Sequence, residues 1–122
     1  YKLGKRSKQK LSGVHPDMVA VVELAISISE VDFTVLEGIR NINRQRELYK
    51  AGKSTTMNSR HITGHAVDLA PWPISWEWED FYPIADAMKA AAEELEIDIV
   101  WGGDWKSFPD GPHFELSRKT YP

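Results

Sequence analysis

Apolar and polar positions alternate along the chain with two periods. Met18, Val19, Val22, Leu24, Ala25, Ile26 and Ile28 form a largely apolar helical stretch. Pro16 and Asp17 suit its first turn, and its end is expected near Ser29 or Glu30. Ile84, Ala87, Met88, Ala91, Ala92 and Leu95 recur at helical spacing and predict a second helix from Phe81 to about Leu95. Ser75 is a candidate cap for an earlier start at Trp76. A short third helix is expected over Arg44–Ala51, with Asn43 as N-cap and Gly52 as terminator. Strand composition marks Phe33–Leu36, Ala66–Ala70 and Ile97–Trp101. His113-Phe114-Glu115-Leu116 alternates, placing His113 and Glu115 on one face and Phe114 and Leu116 on the other. Gly38, Pro71-Trp72-Pro73, Gly102–Trp105 and Pro109–Pro112 punctuate these elements, and Lys53–Arg60 reads as a polar loop. Helices and short strands mix without βαβ regularity. The expected class is therefore α+β, a small antiparallel sheet flanked by helices.

The 122 residues suffice for one domain with a real core, expected to span 1–122. A composition 42% hydrophobic and 27% charged is that of a folded, water-soluble chain. No apolar run approaches the roughly 20 residues of a membrane helix, and no leader-like segment opens the sequence. Synthesis in the cytoplasm without stable membrane association is the expectation. With no cysteine, disulfides and thiolate metal sites are excluded, and any zinc must be held by histidine and carboxylate. Charge is uneven: Lys2, Lys5, Arg6, Lys8 and Lys10 precede the first acid, Asp17. A solvated terminus is the plain reading and attraction to a polyanion the sharper one. Without interleaved aromatics, nucleic acid is not expected as a partner.

Candidate chemistry concentrates in Ser59-Arg60-His61-Ile62-Thr63-Gly64-His65-Ala66-Val67-Asp68. His61 and His65 have the i, i+4 spacing of a helical zinc pair. Ile62 stands where that motif needs glutamate, and Gly64 interrupts as the chain enters a strand. The helical pair is rejected. A reversal near Gly64 could instead join His61 on the loop to Asp68 on the strand, leaving His65 accessory. A catalytic zinc takes three protein ligands and one open position. His15 and His113 are the candidates for the third. His15, beside Pro16 and with no carboxylate or glycine context, reads as a surface histidine. His113 has Asp110 three residues before it across a Gly-Pro turn, where a general base toward metal-activated water could stand.

The spaced set Ser59-x-His61-x-x-Gly64-x-Ala66-x-Asp68, followed by Asp110-x-x-His113, resembles the zinc peptidases of bacterial cell walls. That family includes D-Ala-D-Ala carboxypeptidases and dipeptidases and the phage L-alanyl-D-glutamate endolysins. Glu37-Gly38-Ile39-Arg40, Gln45 with Leu48-Tyr49, Trp101–Trp105 and Asp110–Leu116 resemble the endolysin branch, so the likeness runs from about Lys2 to Leu116. It implies a Hedgehog/DD-peptidase-like fold, zinc on His61, Asp68 and His113, Asp110 as catalytic base and Arg40 as the cation that binds and polarises substrate. Many carboxypeptidase members carry glutamate where Asp110 stands, and the shorter acid points to the phage branch. Gly64 then serves backbone geometry, Ala66 close packing, Ser59 the loop or the substrate, and Glu115 the orientation of His113 or mere solvation. Trp72, Trp76, Trp78 and Trp105 lie near turns, as packing residues or a groove lining, whereas Trp101 reads as core.

The resemblance implies a monomeric zinc endopeptidase cutting the L-Ala–D-Glu bond of the peptidoglycan stem peptide. Such a single-module lysin would reach the periplasmic face of the wall through a holin-type pore. The rivals are a D-Ala-D-Ala carboxypeptidase or dipeptidase of wall maturation and a non-catalytic zinc-binding domain of the Hedgehog kind.

Overall fold

The computed structural model describes residues 1–54 and 59–122. The polar loop expected over Lys53–Arg60 lies partly outside them. In chain order the elements are α1 (Lys5–Lys10), α2 (Pro16–Ile28), β1 (Phe33–Glu37), α3 (Ile42–Lys50), β2 (Ala66–Pro71), α4 (Trp78–Leu95), β3 (Ile99–Trp101) and β4 (His113–Leu116). A single 3-10 turn, Gly102–Asp104, follows β3. The strands form one sheet in the order β1-β2-β4-β3, every neighbouring pair antiparallel. This is the expected α+β arrangement.

Alternation along the two central strands separates core from site. Val67, Leu69, Phe114 and Leu116 join Val21, Val22, Ile84 and Met88 in the core beneath α2 and α4. Asp68, His113 and Glu115 point to the opposite face. The register pairs Val67 with Phe114 and Asp68 with His113, so the same ladder aligns core and site residues. Trp101 is buried, stacks on Phe114 at 6.3 Å and donates its indole N–H to the Gly111 carbonyl at 2.7 Å.

Three local expectations change, and one stretch gains structure. The five cations of the basic segment are exposed, as a solvated terminus requires, but the segment also forms α1, whose buried Ser7 hydroxyl accepts from Val35 N–H and pairs with the Thr34 hydroxyl. The α3 cap is Asn41 rather than Asn43, because the Asn41 side chain accepts the Arg44 N–H at 2.8 Å. Helix α4 begins at Trp78, later than Trp76 and earlier than Phe81. Ser75 ties its approach by accepting from Glu77 N–H and donating to Asp80. His15 is half-buried; its Nδ1 accepts the Asp17 N–H at 3.0 Å, capping α2, and its ring packs against His65 and Tyr121.

Candidate metal centre and active site

The chain reversal after His61 is built on Gly64, whose φ is +75°. A Cβ there would stand 2.7 Å from the Gly13 carbonyl oxygen, so both handedness and space call for glycine. Gly64 N–H returns to the His61 carbonyl and His65 N–H to that of Arg60. The tight turn puts His61 above the start of β2, where its Nε2 lies 3.2 Å from Asp68 Oδ1. His113, opposite Asp68 on β4, brings Nδ1 to 3.3 Å from the same oxygen. One ligand atom from each of these residues lies within 4.8 Å of the others. Two histidine nitrogens and a carboxylate oxygen are a fitting donor set for a divalent transition metal.

The far side of each ring strengthens that fit. His61 Nδ1 faces the Gly38 carbonyl at 2.8 Å, an acceptor that requires the proton on Nδ1 and leaves the Nε2 lone pair toward Asp68. His113 Nε2 faces the Glu115 carboxylate at 2.8 Å, directing Nδ1 inward. Glu115 thus contacts His113 directly. His65 and His15 lie outside the cluster; His65 Nδ1 meets the Thr63 hydroxyl instead. Ser59 Oγ accepts the His61 N–H at 3.2 Å and also lines the cavity.

Without a cation the cluster is strongly polarised. Burial, the largest single effect, raises the Asp68 carboxyl, but its contacts with His113 and His61 and the attraction of those rings together outweigh it and hold Asp68 well below the carboxylate range. Burial opposes charge on His113, yet its bonds to Asp68 and Glu115 push it up to about 9. Desolvation, the largest single effect, raises Glu115, but the His113 bond together with the His113, Arg118 and Arg60 charges outweighs it and lowers the carboxyl.

The cluster opens into a cavity of about 1000 Å³ that Arg40 and Asp110 also line. Arg40 Nε and Nη2 donate to the two Glu37 carboxylate oxygens at 2.6 and 2.7 Å, and Nη1 to Gln45 Oε1 at 2.6 Å. These bonds use three of five N–H groups, leaving one hydrogen on each Nη. Nη2 stands 4.0 Å from Asp68 Oδ2. The Glu37 bond, first among the causes, raises the Arg40 pKa further and fixes the cation's plane. Arg40 N–H also donates to the His61 carbonyl, latching this segment to the histidine turn.

Asp110 stands exposed on the turn before β4. Its N–H donates to the Gly102 carbonyl at 2.9 Å, and its own carbonyl accepts from His113 N–H at 3.3 Å. Partial desolvation by the cavity walls, then the neighbouring Asp68 charge, raise its carboxyl pKa. Gly102 permits this approach: a Cβ there would lie 2.5 Å from the Asp110 oxygen and 3.0 Å from His113 Cβ.

Reading by motif did not find the supports, namely the Gly38 carbonyl, the Glu37 and Gln45 clamp, and Gly102. The run Glu37-Gly38-Ile39-Arg40 carried the signal, but backbone acceptors and steric clearances have no residue-type signature.

Comparison with known proteins agrees across the chain. The family model for phage L-alanyl-D-glutamate peptidase matches residues 1–121. The L-alanyl-D-glutamate peptidase of Escherichia phage T5 is 35% identical, the match covering 99% of this chain and 93% of that protein. The crystal structure of the Serratia marcescens L-Ala D-Glu endopeptidase ChiX superposes with a TM-score of 0.95 at 49% identity, over 100% of this chain and 94% of that one. The D,D-dipeptidase VanXYg shares the fold at TM-score 0.59 and 18% identity, over 84% of this chain and half of its own. The chain belongs to the phage L-alanyl-D-glutamate peptidase family.

Proposed function

We propose that the protein is a zinc endopeptidase that hydrolyses the L-alanyl–D-glutamate bond of peptidoglycan stem peptides. The observation that carries this reading is the joint placement of the His61, Asp68 and His113 ligand atoms, Asp110 and Arg40 on one cavity, in a chain of this family. Family membership supports the bond, and the two-histidine, one-carboxylate donor set with a cavity beside it supports catalytic zinc.

His61 Nε2, an Asp68 oxygen and His113 Nδ1 would hold the ion. Bound there, zinc supplies Lewis acidity, polarising a carbonyl oxygen and lowering the pKa of a water. Asp110 takes the proton of the attacking water at a carboxylate oxygen. Its raised pKa brings it nearer the working range of a base that must also return a proton, here to the leaving amine of D-Glu. The Arg40 hydrogens not engaged by Glu37 and Gln45 meet the oxygen gaining charge, from a guanidinium already fixed in plane. That pre-ordering spares reorganisation during the reaction.

Action as a monomer on the wall, reached through a holin-type pore, completes the proposal. No helix among the described residues is long and apolar enough to cross a membrane. The test is digestion of purified peptidoglycan with mass spectrometry of the new termini. New N-terminal D-Glu is expected; released D-Ala would replace this reading with a carboxypeptidase.

A further inference from the structure

Beside the metal cavity lies a second pocket of about 210 Å³, lined by Trp76, Trp78, Phe81 and the Pro109–Pro112 turn. It is far smaller than the metal cavity and suits one ring rather than a chain. It shares Pro109 and Asp110 with the metal cavity and so continues directly from it. We propose that this pocket is a sugar subsite, stacking the N-acetylmuramoyl ring to which the stem peptide is attached. The inference rests on the peptidoglycan reading above and names where the glycan end of that substrate lies.

Three observations carry it. Trp76 is 65% exposed and Trp78 45%, flanking one pocket; large indole surfaces left in water at a cavity mouth mark a binding surface. The shelf is braced, since Trp76 stacks at 6.3 Å on Phe81, itself buried on α4. Charge divides the two spaces. Arg44, Lys53, Arg118 and Lys119 line the metal cavity beside the acids of the site, whereas among the described residues the aromatic pocket has no basic lining and only Asp110, which both spaces share, as a charged wall.

The substrate is divided in the same way. On the D-Glu side of the scissile bond the stem peptide carries carboxylates, which suit the basic lining and are repelled near Asp110. On the other side L-Ala is joined by an amide to the lactyl group of muramic acid, so that end is neutral. One residue spans at most about 3.6 Å, so the sugar follows the scissile bond almost at once. An aromatic wall adjoining the proposed base is where a neutral ring with axial C–H bonds gains most. The acidic peptide then runs toward the basic wall, which fixes the direction of the chain in the cleft.

The test compares kcat/KM for two soluble substrates of identical peptide sequence, one N-acetylmuramoylated and one N-acetylated. The wild type is expected to favour the sugar-bearing substrate by roughly tenfold, the scale of one good aromatic contact, and W76A to remove most of that preference. W72A replaces an exposed tryptophan outside the pocket and should leave the ratio unchanged. Equal rates on both substrates in the wild type, or an equal effect of W72A, would overturn the subsite. Titrating peptide-free N-acetylglucosaminyl-N-acetylmuramic acid should shift the Trp76 indole N–H resonance, assigned by its loss in W76A. If neither peptide is cut at Ala–Glu, the bond assignment fails, and the titration still decides the subsite: an unmoved indole ends it.

Discussion

His113 Nε2 and the Glu115 carboxylate stand 2.8 Å apart on the same face of β4, both nearly buried. The contact fixes which ring nitrogen faces Asp68, which makes Glu115 the expected positioning residue of the proposed metal centre. Glu115→Ala should weaken zinc binding about 10–100-fold, with Glu115→Gln between it and wild type. Competition against a chelator measures this. Unchanged affinity in both variants would reduce Glu115 to an ordinary strand carboxylate.

His61→Ala and His113→Ala should each abolish stoichiometric zinc, while His65→Ala should leave it near one per chain. The reason is placement: His65 lies against Thr63 and His15, outside the ligand cluster. Metal analysis after gel filtration reads the outcome. Zinc loss on replacing His65 would require a different ligand set.

Asp110→Ala should keep zinc but lose about 10²–10⁴-fold in kcat on peptidoglycan, the range for a missing general base. Arg40→Lys should retain charge and still lose rate, because lysine cannot reproduce the two-pronged contact with Glu37. Wild-type rates in Asp110→Ala would remove it from the chemistry.

The metal-free protein should show a pH signature of the cluster. His113 is raised from 6.5 to about 9, so its contribution to stability is complete below 6.5 and disappears as pH rises through 9. Asp68 is lowered from 3.8, so its contribution is present above that value and is lost as pH falls toward its folded pKa. The proton on His113 also competes with zinc. Between pH 6.5 and 9 the Tm of the metal-free protein should therefore fall while the gap to the zinc-loaded protein widens. A gap independent of pH would contradict the charged His113–Asp68–Glu115 arrangement.

Gly102→Ala tests the clearance under the Asp110 turn. A methyl 2.5 Å from the Asp110 carbonyl must move that turn, costing roughly 1–3 kcal/mol as overpacking does. Because the turn carries both Asp110 and the entry to His113, activity should fall further than Tm. Equal activity with a lowered Tm would show that the turn recovers its geometry.

Periodicity made the scaffold legible. The Phe81–Leu95 spacing located most of α4, and alternation in β4 assigned His113 and Glu115 to the face opposite Phe114. The approach of Asp68 to His113 was legible only through the motif resemblance, since nothing local shows that β2 and β4 become neighbours. Composition read the solvated charges of the positively charged start but not its docking, because the buried Ser7 contacts with Thr34 and Val35 come from β1, 27 and 28 residues away. The Asn41 cap and the His15 contacts were missed for related reasons. A cap depends on one hydrogen bond, and half-burial of an isolated histidine depends on partners as distant as Tyr121.

The pairing of Asp68 with His113 in the β2–β4 ladder also makes the metal site a check on assembly. A slip of one residue between these strands would turn one strand's ligand toward the core and bury its polar group among Val67 and Phe114. Asp68 and His113 face one another only in the correct register, across 45 positions of sequence. With zinc bound as proposed, its uptake during refolding would report that the central strands have aligned, and misaligned chains would remain empty.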